Sequence, residues 1–583
     1  ACCNPAVEGA LGSVILLPPG ANEVTWIAED HKGNSVEVTQ VVNVRPLVSL
    51  SKDQTTVEGT TVTFAVVLNG SAPVYPFTVP FVIDDASDAD STDHDLVNGT
   101  VTFVSVGGTP QTLAEVAVQI TSDGISEDDE TLVIRLDDHT TNAQDLAAGY
   151  DAANPDIYDI NSGAKDEHRI HIVERNLPPE VSVRLSQGGV GTVLTTADGG
   201  DITATLMVSD PNPGDTHTYD WSNSDNTLVD TDGDVSDTSF VFNPGSLSPG
   251  RYKLQVRVVD AEGASAMATL FFRVLEALST LEPGQDTDGD GVDDATEGTA
   301  DSDDDGIPDY LDNIDASNVL PEDASETRAY LVECDPGIQC RLGRYALVSD
   351  AGGVLLTALD FEEQIDLIAD ERFTPSGGIF DFEARGLPDA GQSVRVAIPL
   401  RVAIPANAVY RKFQDGDWIT FVENENNALH SAAGNPGYCP PPGAEEWEEG
   451  LVAGHLCIQL TIEDGGLNDA DGVANTVIED PGAVSTPVTI SHTVESSAGG
   501  GGATGPLWLL LMVGVWVMAR FKTLARYSGG LLPLCLGGFL LLGTAPTQAQ
   551  ESRDQLAGKT SIEVSVYSAD GSLGAGEFVA DMA

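Results

Sequence analysis

The chain has 583 residues, 92 Asp and Glu against 26 Lys and Arg, and a formal net charge of −66. At roughly 100–200 residues per domain, this length holds about three to five domains, which excludes a single compact enzyme domain. A nucleic-acid binder needs clustered cations to displace counterions, so nucleic acid is excluded as a partner; a hydrophobic fraction of 41% also excludes an acidic random coil.

The acid is unevenly placed. Residues 506–583 hold 6 acidic and 5 basic side chains, leaving 86 against 21 in the part before them. Carboxylate excess on folded modules is either a solvated surface suited to a saline environment or a set of sites for hard cations such as Ca²⁺.

The chain opens Ala1-Cys2-Cys3 without Met or a secretory signal, and it reads as the later part of a longer precursor. In residues 14–45, Val24/Trp26 and Thr25/Ile27 alternate along a strand, Lys32-Gly33-Asn34 supplies a turn, and Val36 to Val44 alternates again. The stretch resembles the last hairpin of an immunoglobulin-like adhesion repeat of the hyalin or polycystic-kidney type, so residues 1–45 are expected to be the C-terminal part of one.

Residues 46–276 consist of short Val, Ile, Thr and Tyr runs separated by Gly, Asn, Asp and Pro, the pattern of β-sandwich arrays. Within 46–176, Glu58-Gly59 follows a first strand, Asp95 precedes Gly99-Thr-Val-Thr-Phe103, and Asp123-Gly-Ile-Ser-Glu127 leads into Glu130-Thr-Leu. These positions resemble the Calx-beta domain, a seven-strand sandwich. The resemblance implies calcium ligands Glu58, Asp95, Asp123 and Glu127 at one end of it. The chain departs from the family at His171-Ile-Val-Glu-Arg-Asn176, where a terminal Asp cluster is expected. Residues 177–276 contain Gly200-Asp-Ile-Thr-Ala-Thr-Leu-Met-Val-Ser-Asp210-Pro-Asn-Pro-Gly and the alternating Tyr252/Leu254/Val256/Val258, turning at Asp260–Gly263. They resemble a cadherin-like or polycystic-kidney-type sandwich.

The most specific motif follows. Asp286-Thr-Asp-Gly-Asp-Gly-Val-Asp-Asp-Ala-Thr-Glu297 fits D-x-D-x-D-G-x₅-E throughout. In such a loop Asp286, Asp288 and Asp290 offer carboxylates, Gly291 makes the sharp turn and the Val292 carbonyl faces the ion. Asp294 stands at position 9, and Glu297 chelates through both oxygens. A second copy, Asp301-Ser-Asp-Asp-Asp-Gly306-Ile-Pro-Asp309-Tyr-Leu-Asp312, offers Asp301, Asp303, Asp305, the Ile307 carbonyl, Asp309 and Asp312. Asp286 to Asp312 holds 12 acidic residues and no Lys or Arg, so calcium is expected to be a folding ligand here. Three residues between the loops leave no room for EF-hand helices. The tandem, in segment 282–314, instead resembles thrombospondin type 3 repeats, in which chained Asp loops wrap calcium ions.

Residues 315–494 form a further module, with Gly377-Gly-Ile-Phe-Asp-Phe-Glu-Ala-Arg-Gly386 and the near-duplicate Arg395-Val-Ala-Ile-Pro399 and Arg401-Val-Ala-Ile-Pro405. It resembles the choice-of-anchor domain found ahead of sorting signals in bacterial surface proteins. Its loop Asp464 to Asn475 offers calcium the side chains of Asp464, Asn468 and Asp471, though turns of this composition also form without metal. Cys334 and Cys340 lie six apart and Cys439 and Cys457 eighteen apart, so two local disulfides are the natural pairing among three possible ones in an exported module.

In residues 495–526 the glycines Gly499 to Gly502, the apolar run Leu507 to Met518 and the cations Arg520, Lys522 and Arg526 form a short membrane-spanning pattern with a cytoplasmic basic end. It resembles GlyGly-type C-terminal sorting signals of bacterial surface proteins, which implies cleavage by an intramembrane protease of the rhomboid class. A second apolar run, Leu531 to Leu542, precedes Ala545-Pro-Thr-Gln-Ala-Gln550. Either the two runs form a helical hairpin or residues 527–583 begin a second exported region.

No H-E-x-x-H or G-x-S-x-G occurs, and His168 and His171 fall on opposite faces of a strand, so no catalytic residue is assigned. The expectation is a mainly β chain of tandem immunoglobulin-like sandwiches and an acidic calcium-binding linker. A disulfide-containing membrane-proximal β domain and C-terminal hydrophobic helices complete it. Its function is expected to be that of a calcium-stiffened adhesion stalk or, alternatively, the display segment of a hydrolase lying upstream, at the cell surface or secreted.

Overall fold

The computed structural model describes residues 17–29, 35–122, 128–137, 159–160, 166–231, 233–289, 291–314, 316–323, 328–348, 352–356 and 368–488, with the strand pair 566–567 and 573–574. The chain is mainly β, as its turn-punctuated Val/Ile/Thr composition dictates. The apolar runs Leu507 to Met518 and Leu531 to Leu542, the expected C-terminal helices, lie outside the described residues. Among the described residues no helix is long and apolar enough to cross a membrane.

An antiparallel hairpin, Gly20–Glu29 with Ser35–Val44, sets Trp26 opposite Val38 and Val24 opposite Gln40. The expected turn at Lys32-Gly33-Asn34 lies outside the described residues.

The first sandwich joins two sheets. One runs in the order Leu113–Gln119, Thr61–Leu68, Leu47–Leu50, Asp159–Ile160. The other runs Gln54–Val57, Glu167–Val173, Glu130–Leu136, Phe77–Ile83, Gly99–Phe103. Phe64, Val66 and Val118 from the first and Val79, Phe103, Leu132 and Ile170 from the second close one core. Alternation along strands such as Thr61–Leu68 and Gly99–Phe103 sends every second side chain inward.

The second sandwich runs Val190–Gly191, Glu180–Gln187, Ile202–Ser209, Ser239–Phe242 on one face. The other face runs Leu194–Thr196, Ser265–Leu275, Gly250–Val259, Thr218–Asp220. The alternation read in the sequence is realised: Leu254, Val256 and Val258 are buried, and Tyr252 is half-buried at the rim. Trp221 fills the centre, its indole Nε1 donating to the Asp237 carbonyl at 3.0 Å.

The final domain is also built on two sheets. Six strands run Val319–Pro321, Leu331–Cys334, Ser393–Pro399, Cys457–Glu463, Ala428–Ala432, Glu448–Glu449. The second sheet contains Gln339–Leu342, Ile379–Arg385, Val477–Pro487, Val409–Gln414 and Asp417–Thr420 in that order. Disulfides join Cys334 to Cys340 and Cys439 to Cys457, with Cα separations of 6.0 and 5.6 Å. Of the duplicated Arg-Val-Ala-Ile-Pro segments only the first is a strand. Arg395 binds Asp335, whereas Arg401 reaches Glu322 and stacks 4.4 Å from the Tyr330 ring.

A row of spacers in series predicts contacts between chain neighbours alone. The first sandwich instead also touches the final domain. Lys52 Nζ lies 2.8 Å from Asp335 Oδ2, Thr55 donates to Asp389 through its N–H (3.2 Å) and hydroxyl (2.9 Å), and Gln392 Nε2 donates to the Asp53 carbonyl at 2.8 Å. Burial alone would raise the Asp335 carboxyl, but Lys52 and Arg395 outweigh it and hold it at about 2. A depressed carboxyl contributes stability above its unfolded pKa near 3.9 and loses it as pH falls toward the folded value. Asp335→Asn should therefore cost about 2 kcal/mol at pH 7. Urea unfolding between pH 6 and pH 2.5 should show this deficit shrinking with acid; a deficit independent of pH would contradict the ion-pair role.

Candidate metal centre

The two Asp loops fold on one hydrogen-bond skeleton with a fifteen-residue period. The Asp286 Oδ2 accepts from Gly291 N at 3.2 Å and Asp301 Oδ2 from Gly306 N at 3.1 Å. Position 9 closes on position 2 in both: Asp294 accepts from the N–H and hydroxyl of Thr287 (2.7 and 2.7 Å), and Asp309 from those of Ser302 (2.8 and 2.8 Å). The backbone repeats as well, with Asp294 N to Gln285 O at 2.8 Å and Asp309 N to Ala300 O at 2.7 Å. Gly291 and Gly306 sit at φ +96° and +98°, a left-handed conformation that only glycine adopts without strain. The loops end in a four-residue helix, Asp294–Glu297, and a single 3-10 turn, Asp309–Leu311. This is far short of EF-hand helices.

In the second loop, carboxylate oxygens of Asp301, Asp303 and Asp305 lie within 4.8 Å of one another. Asp305 is fully buried and Asp301 is 7% exposed. Each carries one buried oxygen, Asp301 Oδ1 and Asp305 Oδ2, without a hydrogen-bond partner. Their other oxygens accept from Gly306 N and Ile307 N. Burial pushes the Asp301 carboxyl up to about 7 although Arg341 opposes the shift, with Asp303 and Asp304 adding to it. Asp305 is raised well above the ordinary range by burial, and then by Asp303, Asp312 and Asp301. Positions 1, 3 and 5 of this loop therefore face one another, and the charge at position 12 acts on position 5. Such a group is stable ionised only with a cation among the carboxylates.

The position-9 acids, Asp294 and Asp309, were expected beside the ions. Both oxygens of each accept from the residue at position 2, so these acids brace the loops. In the first loop Asp288 is buried, and its carbonyl accepts from Asn313 Nδ2 at 3.3 Å, tying the two loops together. Asp293 caps the short helix Asp294–Glu297 through Ala295 N at 3.1 Å, and Glu297 N donates to the Asp293 carbonyl at 3.2 Å. Asp290 lies outside the described residues. Ile307 is buried in the final domain's core, which fixes the carbonyl-bearing segment of the second loop.

The second loop is held by both its neighbours. Asp301 N donates to Gly191 O at 3.2 Å and Arg184 Nε pairs with Asp304 Oδ2 at 3.1 Å, both from the second sandwich. From the final domain come Leu342 N to Asp305 O at 2.7 Å, Gln339 Nε2 to Asp303 O at 2.7 Å and Arg341 Nη1 to Asp304 O at 2.8 Å.

The other expected sites fare differently. Asp95 is exposed and accepts from Gln119 N at 2.8 Å, and Glu58 is half-buried; Asp123 and Glu127 lie outside the described residues. In the loop Asp464 to Asn475 each of the three expected side chains accepts hydrogen bonds from protein donors. Asp464 accepts from Asn475 N (3.0 Å), Gly391 N (2.8 Å) and Thr476 N (2.9 Å). Asn468 Oδ1 accepts from Val422 N, and Asp471 accepts from Val473 N and Asn475 Nδ2, each at 2.8 Å.

One acidic cluster was not anticipated. Asp210, Asp215 and Asp260 bring carboxylate oxygens within 4.8 Å of one another at one end of the second sandwich. Asp210 faces His217 Nε2 at 2.6 Å, and Asp260 accepts from Gly263 N (2.6 Å), Ala264 N (2.8 Å) and Asn176 Nδ2 (2.8 Å). Its only sequence signal is an Asp opening each of two turns that the topology brings together.

No family model matches the chain, and no curated protein matches it. Among solved structures, the crystal structure of calcium binding domain CBD12 of CALX1.1 aligns over 37% of this chain and 80% of its own, at 13% identity and a TM-score of 0.16. At that TM-score the alignment carries no weight for the site, whose interpretation rests on its own geometry.

Proposed function

We propose that the chain is a calcium-binding structural segment of a surface or secreted bacterial protein, in which calcium in the loops Asp286–Glu297 and Asp301–Asp312 braces the junction between the second sandwich and the final domain. The observation that carries this reading is the pair of buried, unpartnered carboxylate oxygens of Asp301 and Asp305, inside a three-Asp cluster gripped from both sides. Calcium suits the donor set: it is a hard cation that takes 6–8 oxygens, and Asp301, Asp303, Asp305, Asp312 and the Ile307 carbonyl are all oxygen donors. Binding energy gained in the loops becomes folding energy of the junction.

Adhesion and display are both served by such a segment. Anchoring through Gly499–Arg526 and processing by a rhomboid-class protease remain part of the proposal, supported by the Gly tract, apolar run and basic stop. Limited proteolysis tests the junction role. With millimolar calcium the 280–315 segment should resist cleavage, and with chelator it should be cut first; equal cleavage in both states would overturn the reading.

A further inference from the structure

We infer that Arg341 sets the calcium affinity of the second loop, as a built-in cation that neutralises the empty cluster and repels the incoming ion. The inference rests on the calcium reading above and adds a residue outside both motifs. Arg341 lies on the strand Gln339–Leu342, is 5% exposed, and donates through Nη1 to the Asp304 carbonyl at 2.8 Å. The charged groups that face it are Asp301, Asp304 and Glu383, which attract it, and Arg385, which repels it. Arg385 is itself engaged by Glu383, so Arg341 is the guanidinium directed at the loop from this side.

Two consequences follow from Coulomb's law in a partly buried setting. With the loop empty, Arg341 offsets part of the repulsion within the cluster, which lets Asp301, Asp303 and Asp305 stay converged. With Ca²⁺ in place, the same positive charge is a like-charge neighbour. Removing it therefore destabilises the empty loop more than the filled one, whose negative charge the ion has already reduced, and the difference raises affinity. Arg184 also pairs with Asp304, but its side chain is 65% exposed and solvent screens it. Arg341 is thus a positioning residue that tunes affinity rather than a ligand. It places the threshold at which calcium locks the second sandwich onto the final domain.

The test is calorimetric Ca²⁺ titration of the full chain, in a background where Asp288→Asn weakens the first loop. Arg341→Gln should tighten the second site by roughly tenfold. Arg341→Lys, which keeps the charge, should stay within about twofold of the parent, and Arg184→Gln should do the same. Unchanged or weaker binding in Arg341→Gln overturns the inference, as does an Arg341→Lys variant that shifts as far as Arg341→Gln. Should Arg341→Gln fail to fold, Arg341→Lys decides the matter, because a purely structural guanidinium would make it fail as well. If the parent chain binds no calcium at either loop, the calcium reading falls first and this inference with it.

Discussion

Lys412→Met should destabilise the final domain by about 3–5 kcal/mol, the ordinary cost of removing one partner from a buried ion pair. Lys412 and Asp480 are both fully buried, with Nζ 2.9 Å from Asp480 Oδ1. The ammonium also donates to the Asn468 carbonyl and, at 3.4 Å, to that of Glu479, while Tyr410 donates its hydroxyl to Asp480 Oδ2 at 3.2 Å. Burial raises the Asp480 carboxyl, and Lys412 works against that rise. Without Lys412 the folded pKa climbs further above its unfolded value. A carboxyl raised by folding favours the folded state below its unfolded pKa and loses that advantage as pH rises toward the folded one. The Lys412→Met deficit should therefore be largest near neutrality and shrink toward pH 4.5. The double variant Lys412→Met/Asp480→Asn should recover part of the loss, since it removes the stranded charge. Urea titrations of the three proteins at pH 7 and pH 4.5 measure this. A deficit below about 1 kcal/mol at pH 7 would show that the pair does not hold the sheet as described.

The second large effect is calcium removal. A ligand that binds only the folded state adds about 2.7 kcal/mol at one hundred times its dissociation constant. Two filled loops should thus lower the apparent stability of the junction by several kcal/mol when chelator is added. The loss should concentrate in the tandem segment and its neighbours. In the first sandwich, the sheet cores around Phe64 and Phe103 do not depend on these loops. Hydrogen exchange with and without calcium should therefore show protection lost at residues 286–312 and 339–342 and retained at 62–68 and 132–136. Uniform loss across all of these would place the effect elsewhere.

Periodic and local features were legible in the sequence. Alternation in Leu254, Val256 and Val258 predicted an inward face and met one. Glycine at position 6 predicted a sharp turn, and Gly291 and Gly306 make one in the left-handed conformation. Three residues between the loops excluded EF-hand helices. The local cysteine pairing followed from spacing in an exported module, and the structure forms it.

Features that need distant partners were not legible. The bracing of position 2 by Asp294 and Asp309 depends on which way a side chain turns, and a ligand motif fixes only spacing. In the Asp464 loop, composition does not reveal that Gly391 N and Val422 N supply hydrogen bonds from elsewhere in the chain. Contact between Thr55 and Asp389 crosses 334 residues of sequence, so domain order alone suggests beads in a row. Arg341 carries no motif at all. It matters only because the strand that bears it lies against Asp304.

The most direct test is a calcium isotherm of the full chain at physiological ionic strength, compared with that of Asp301→Asn/Asp305→Asn. The parent should bind at least two Ca²⁺ ions with submillimolar affinity, and the double variant should lose one of them while its sandwiches remain folded. An isotherm that shows no binding below millimolar calcium, or one that the double variant leaves unchanged, would contradict calcium as the ion that organises the junction.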